Sequence, residues 1–324
     1  MRSLFYLLLG SLFIYSCKPD RPQEVTLDKS GSVAGPKLVS TAVANEIEYE
    51  VDTIIPPQKI RSVPIPKSVT FAGQEIPLDR SDVREALEYE LMVNTFRHSH
   101  TLKLLKNIER WKPLVLEILR EHNVPEDFIY LAVAESEFDN NAQSYAGAVG
   151  MWQFMEGTAK DYKLVVNKDV DMRKDPKLST IAACKFLTTS YEAFNDWILT
   201  TASYNRGIKG IKNRLEEQKV DNFFDLHLNP ETARYVYRII ALKIILENPE
   251  LYGYFLSSDE KYKPYKFKTI TITDDVSSLV DFAQQHNTTY KELRLLNPWF
   301  NDALNLKLKV GKKEAFELRV PEKD

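Results

Sequence analysis

Between residues 81 and 248, apolar positions recur every three or four residues, the spacing of one face of a helix. Val83, Leu87 and Leu91 mark a first helix, with Ser81 and Asp82 placed to cap it. Leu102, Leu105, Ile108 and Trp111 mark a second. Pro113 opens a third, with Val115, Ile118 and Leu119 inward, because proline is tolerated in a first helical turn. Further helices are expected over about 178–194, 197–204, 208–217 and 230–247. After residue 264 the period changes. Residues 267–272 alternate as a strand, 276–285 and 290–296 read as helices, and 316–321 as a closing strand. The pattern predicts an all-α domain over 81–256, then a small α+β unit of βααβ order over 265–322. About 165 helical residues suffice for one substantial core.

One helix breaks its own pattern. From Pro125, with Glu126 and Asp127 at the favourable N-terminal end, Phe128, Leu131, Ala132, Glu135 and Phe138 share a face. Glu135 interrupts that apolar stripe. Glu137 lies roughly 200° round the helix and is expected in solvent. Desolvation disfavours the charged form of an inward carboxyl, so its pKa rises and it can serve as a general acid near neutral pH. The competing readings are a buried Glu paired with an Arg, or a helix end frayed enough to expose it. Asn140 and Asn141 are expected to end the helix.

The next segment concentrates unusual backbone. Five of the eleven glycines fall in 147–157 and 207–210. Gly147, Gly150 and Gly157 beside Trp152, Gln153 and Tyr162 predict a close turn lining a groove, with an aromatic wall and an amide to orient a polar ligand. A tight helix crossing is the alternative.

Composition narrows the remaining classes. The net charge of −3 comes without a basic stripe, so no nucleic-acid surface is expected. The five histidines are scattered, and no metal or other cofactor is anticipated; His98-x-His100 reads as a solvated turn. Residues 1–17 resemble an export signal, with Arg2 ahead of a short apolar run over 4–15 and an Ile14-Tyr15-Ser16-Cys17 end similar to a lipoprotein box. Cys17 is then the expected lipidation site, which leaves Cys184 alone, as a small core residue. Eight of the sixteen prolines fall in 18–80, which reads as a semi-stiff tether.

The run AESEFDNNAQSYAGAVGMWQFMEGTAKDY resembles the signature of the family 1 lytic transglycosylases, whose catalytic domain is goose-type lysozyme-like. Glu135-Ser136 matches the family's Glu-Ser, and Gly150-Met151-Trp152-Gln153 its Gly-x-x-Gln turn. Ser203-Tyr204-Asn205-Arg206-Gly207 stands for Ala-Tyr-Asn-x-Gly, with Ser in place of the usual Ala and Arg where a small residue is common. Glu231-Thr232-Ala233-Arg234-Tyr235 matches a late Glu-Thr-x-x-Tyr. The likeness spans about 85–250. It implies that Glu135 is the single catalytic acid and base, cutting the bond between N-acetylmuramic acid and N-acetylglucosamine in peptidoglycan and leaving a 1,6-anhydro end. It further implies substrate contacts from Ser136, Gly150, Met151, Gln153, Tyr204, Asn205 and Tyr235. For Tyr204 and Tyr235 a core role with a satisfied hydroxyl stays open.

At the C-terminus, Glu292-Leu293-x-x-Leu296-Asn297-Pro298 and a last strand ending in proline resemble a LysM domain, with Asp274-Asp275-Val276 where Gly-Asp-Thr is usual. The resemblance implies binding to aminosugar polymers; a packing or partner role is the alternative. Together these features predict a monomeric, lipid-anchored enzyme facing the periplasm of a Gram-negative envelope, with peptidoglycan strands as partner. A non-catalytic glycan-binding lipoprotein and a true muramidase on the same fold remain as alternatives.

Overall fold

The computed structural model describes residues 61–301, 306–311 and 315–322. The export signal, Cys17 and most of the expected tether lie outside the described residues. The last part of that tether is not free chain. Residues 61–80 pack onto the helical body, with Val63, Phe71, Ile76 and Leu78 buried. Strands β1 (Thr70–Phe71) and β2 (Gln74–Glu75) form an antiparallel hairpin. Its central residues Ala72 and Gly73 both have positive φ, as two-residue hairpin loops require. Phe71 meets the edge of Phe128 at 5.5 Å, and the Ala72 N–H donates to Asp127 Oδ2 at 2.7 Å. Prolines at 64, 66 and 77 therefore shape extended segments that dock. They do not signal an unfolded linker here, because the apolar residues between them reach the core.

The body is built from α1 (Ser81–Phe96), α2 (His98–Asn107), α3 (Lys112–Glu121), α4 (Ile129–Ser136), α5 (Glu156–Asp161), α6 (Pro176–Phe194), α7 (Trp197–Arg206), α8 (Ile208–Gln218) and α9 (Pro230–Glu247). Its helices follow the apolar periodicity closely. Val83, Leu87 and Leu91 of α1 are fully buried, as are Val115 and Leu119 of α3. Of the second stripe, Leu105, Ile108 and Trp111 are buried as predicted, while Leu102 is exposed and Leu104 takes its place inside. Side-chain caps fix several starts. Asp175 accepts from the N–H groups of Lys177 and Leu178, Asp196 from Leu199, and Asn229 from Thr232. Cys184 is buried in α6, and burial pushes its thiol up to about 12, so it behaves as a small apolar residue.

Strands β3 (Phe267–Ile272) and β4 (Phe316–Pro321) pair antiparallel, Phe267 opposite Pro321 and Ile272 opposite Phe316. Between them come α10 (Leu279–Gln285) and α11 (Tyr290–Leu296). The predicted helix start at Val276 is three residues early. Val276 instead exchanges backbone hydrogen bonds with Leu308, and Ser278 caps α10. Buried Asn297 clamps the end of α11 to β4, donating to the Arg319 carbonyl at 2.7 Å and accepting the Arg319 N–H at 2.8 Å. Arg319 in turn reaches the Asp175 carboxylate at the head of α6, Nη1 to Oδ2 at 2.6 Å, with both side chains buried. This buried pair, with Lys177 to Glu317 at 2.8 Å outside it, ties the βααβ unit to the head of a body helix.

Candidate active site

A 3-10 turn over Glu126–Phe128 leads into α4, and Phe128, Leu131 and Ala132 anchor its inner face in the core. The helix stops at Ser136, four residues before the asparagines expected to end it. Glu137 and Phe138 both adopt left-handed φ, 58° and 61°, a conformation that ordinary side chains resist. Two things hold them there. Phe138 is buried in the core, and the Glu137 carboxylate takes Lys103 Nζ at 2.7 Å and His100 Nδ1 at 2.9 Å from α2. Burial alone would raise the Glu137 carboxyl, but Lys103 and His100 outweigh it and hold it below the usual range. Glu137 and His100 were expected in solvent; they form instead the strut that fixes the end of the helix. Burial keeps His100 less basic than a free imidazole despite that partner.

Glu135, in the last turn of α4, lies on the floor of a cleft of about 660 Å³ lined by α1, α2, α4, α9 and the segment 142–153. The Tyr235 hydroxyl donates to its Oε1. Burial pushes the carboxyl up to about 7; the Tyr235 hydrogen bond and the Arg238 charge only partly oppose this. Tyr235 and Tyr204 are both held as neutral phenols, mainly by burial and then by Glu135.

The glycine turn is built against this helix end. The Ser136 hydroxyl donates to the Met151 carbonyl at 2.8 Å and accepts the Asp139 N–H at 3.2 Å. A Cβ at Gly150 would stand 1.9 Å from the Arg173 carbonyl oxygen, and its φ is +85°, so only glycine fits. The Gln153 amide donates to the Gly150 carbonyl at 2.8 Å. Gly157 takes no part, since it sits in α5 with open space around it. Nor is Trp152 an aromatic wall: it is fully buried and donates to Thr180 Oγ1 at 2.9 Å.

Of the residues singled out in the sequence, Glu135, Ser136 and Gln153 line the cleft, and Tyr235 stands behind Glu135. Met151 is fully buried, so its contribution is the carbonyl that fixes Ser136. The Tyr204 hydroxyl donates to the Trp152 carbonyl at 2.8 Å, bracing the turn from α7. Exposed Asn205 accepts from Thr232 Oγ1 at 2.8 Å, tying α7 to α9 away from the cleft. Among the described residues no group of three or more His, Cys, Asp or Glu is placed to hold a metal ion.

Two residues were missed. Arg173 is buried against Asp171 and donates Nη1 to the carbonyls of Gly147 and Phe154, both at 3.1 Å, so one guanidinium holds both ends of the turn. Its only sequence mark is the Asp-x-Arg spacing of 171–173. Glu90 is 1% exposed, lines the cleft and receives Arg234 Nε at 2.6 Å. It falls three residues after Leu87 and seven after Val83, on an apolar stripe, the same anomaly that singled out Glu135.

The family described as Transglycosylase SLT domain matches residues 115–225, and the one described as Soluble lytic transglycosylase C-terminal LysM-like domain matches 268–324. The membrane-bound lytic murein transglycosylase D of two Escherichia coli strains is 29% identical over 221 residues, covering 66% of this chain and 48% of its own length. The chain thus spans about half the length of the curated relatives it matches. Among solved structures, the 70 kDa soluble lytic transglycosylase of Escherichia coli aligns with a TM-score of 0.37 at 21% identity, over 48% of this chain and 27% of that one. Residues 115–225 thus match a transglycosylase SLT domain and residues 268–324 a LysM-like domain, in a chain homologous to membrane-bound lytic murein transglycosylase D.

Proposed function

We propose that this protein is a peptidoglycan lytic transglycosylase that cuts the β1,4 bond from N-acetylmuramic acid to N-acetylglucosamine, with Glu135 as its one acid and base. The observation that carries the reading is a carboxyl raised to about 7 on the floor of an open cleft, with a phenol as its hydrogen-bond partner. Such a group is half protonated at neutral pH and can both give and take a proton.

In the proposed sequence the Glu135 proton goes to the glycosidic oxygen as the bond to muramyl C1 breaks. The substrate's own acetamido oxygen closes on C1, the substrate-assisted route that needs no second carboxylate. The Glu135 carboxylate then removes the C6 hydroxyl proton, O6 bonds to C1, and the acetamido oxygen is released. No water is consumed, and Glu135 ends protonated as it began. Tyr235 steadies the carboxylate between the two steps. Ser136 and Gln153 keep the floor of the cleft in shape, since their hydrogen bonds are already directed to the protein backbone.

The protein is further proposed to be a lipoprotein anchored through Cys17, facing the periplasm of a Gram-negative envelope, with the LysM-like unit holding glycan. Mass analysis of products from purified sacculi tests the chemistry. Anhydromuropeptides lost in the Glu135→Gln variant support it. Free reducing ends would make it a hydrolase, and undiminished activity in the variant would remove Glu135 from the mechanism.

A further inference from the structure

Beside the catalytic cleft lies a second one of about 390 Å³. Asp139 lines both, so they meet at the chain just past the end of α4. One wall comes from the helical body at 107–111 and 138–141, the other from Tyr262, Tyr265, Leu295 and Pro298. Two of its side chains carry atoms the fold leaves unsatisfied. Asn140 is 6% exposed, yet its Oδ1 is buried with no hydrogen-bond partner. Arg110 Nε is likewise buried and unpartnered. Native structures keep few buried polar atoms in that condition.

The rest of the cleft has a definite chemistry. The Arg110 guanidinium stacks on the rings of Tyr262 and Tyr265, 4.7 and 4.8 Å from their centroids, and donates to the Tyr265 hydroxyl. Its charge is spread over two ring faces, which leaves a flat platform with muted pull on anions. Tyr262 is 42% and Leu295 51% exposed, so apolar surface stands open beside the carboxamides of Asn140 and Asn141. Flat apolar faces next to amide donors and acceptors suit a pyranose ring, which presents C–H groups on one side and hydroxyls round its edge.

We infer that this second cleft is a saccharide subsite, taking a pyranose of the same glycan strand that passes Glu135, beyond Asp139 and against the C-terminal unit. The inference rests on the glycan-cleaving reading above. It makes the junction between the helical body and the LysM-like unit part of the binding surface, with the Asn140 side chain turning its unsatisfied carboxamide oxygen to a sugar hydroxyl.

The test uses the full chain carrying Glu135→Gln, titrated with peptidoglycan glycan oligomers of increasing length. Affinity should rise once the strand is long enough to reach the second cleft. Adding Asn140→Ala or Tyr262→Ala should cut affinity for long strands about fivefold to tenfold, the worth of one lost polar or stacking contact, and leave the shortest oligomer unchanged. Asn140→Ala should also hold its Tm, because Asn140 Oδ1 makes no bond within the protein; it decides the matter if Tyr262→Ala fails to fold. Equal losses for short and long strands, or no loss, would overturn the subsite while leaving the glycan reading intact. Absence of binding at every length would overturn both.

Discussion

Glu90 and Glu135 are the same residue type, each set on an apolar helical stripe, and both line one cleft. Arg234 delivers its guanidinium to Glu90 at 2.6 Å, and Arg238 Nε lies 3.8 Å from the other carboxyl oxygen. Glu135 is given a tyrosine hydroxyl and only the more distant influence of Arg238. The first is therefore a fixed strut between α1 and α9, and the second is free to exchange a proton. Burial prepares a carboxyl for chemistry only where no cation comes with it.

The sharpest way to break this comparison is Glu135→Gln, which keeps shape and hydrogen bonding but removes the titrating proton. Turnover of sacculi should fall by about 10²–10⁴-fold, the usual worth of general acid–base catalysis. The same change at Glu90 should act mainly on stability. Next in size, Arg234→Ala removes the charged donor to buried Glu90, leaving Arg238 at 3.8 Å, and should cost about 2 kcal/mol in urea unfolding, with cleavage surviving below the transition. Gly150→Ala sets a Cβ against the Arg173 carbonyl and should cost on the order of 2 kcal/mol, read as a lowered Tm.

The mildest change sharpens the contrast. The Tyr235 hydroxyl favours the charged form of Glu135, so Tyr235→Phe should move the alkaline limb of the pH–rate profile upward while lowering kcat about tenfold. In the parent protein kcat/KM should fall as pH rises through about 7, where Glu135 loses its proton. Stability follows the same sign. Between the ordinary 4.5 and about 7 the folded state keeps a proton that the unfolded chain has lost, so stability declines as pH rises through that window. Glu135→Gln should abolish that slope, gaining up to about 3 kcal/mol at alkaline pH. An unchanged slope would mean that Glu135 titrates normally.

Much of this was legible in the chain. Apolar spacing located the helices, and Pro230–Glu247 and the strands at 267–272 and 316–321 fell where periodicity put them. The odd carboxyl at 135 was visible because a charge on an apolar stripe is conspicuous. Glu90 carried the same mark and was passed over, since its stripe reads as an ordinary helix until Arg234 is placed 144 residues away. The turn at Glu137 and Phe138 left no trace, because neither is a residue that announces left-handed backbone; distant partners impose it. Trp152 was misplaced for a related reason. A turn rich in glycine and aromatics looks like a cleft wall, yet here the backbone faces outward and the large side chains go in. The docked stretch 61–80 was hidden by its prolines, which mark extended chain without saying whether it packs.

That docked stretch carries a mechanical consequence. Phe71 presses on Phe128 at the foot of the Glu135 helix, and Lys243 Nζ grips both the Thr70 carbonyl and Asp127. A pull on the chain ahead of residue 61 would load the Ser62–Glu88 and Tyr252–Pro64 hydrogen bonds first, then reach the Glu135 helix through two aromatic rings and one ammonium. A fragment cut to begin at Ser81 would remove this fastening and bare Phe128.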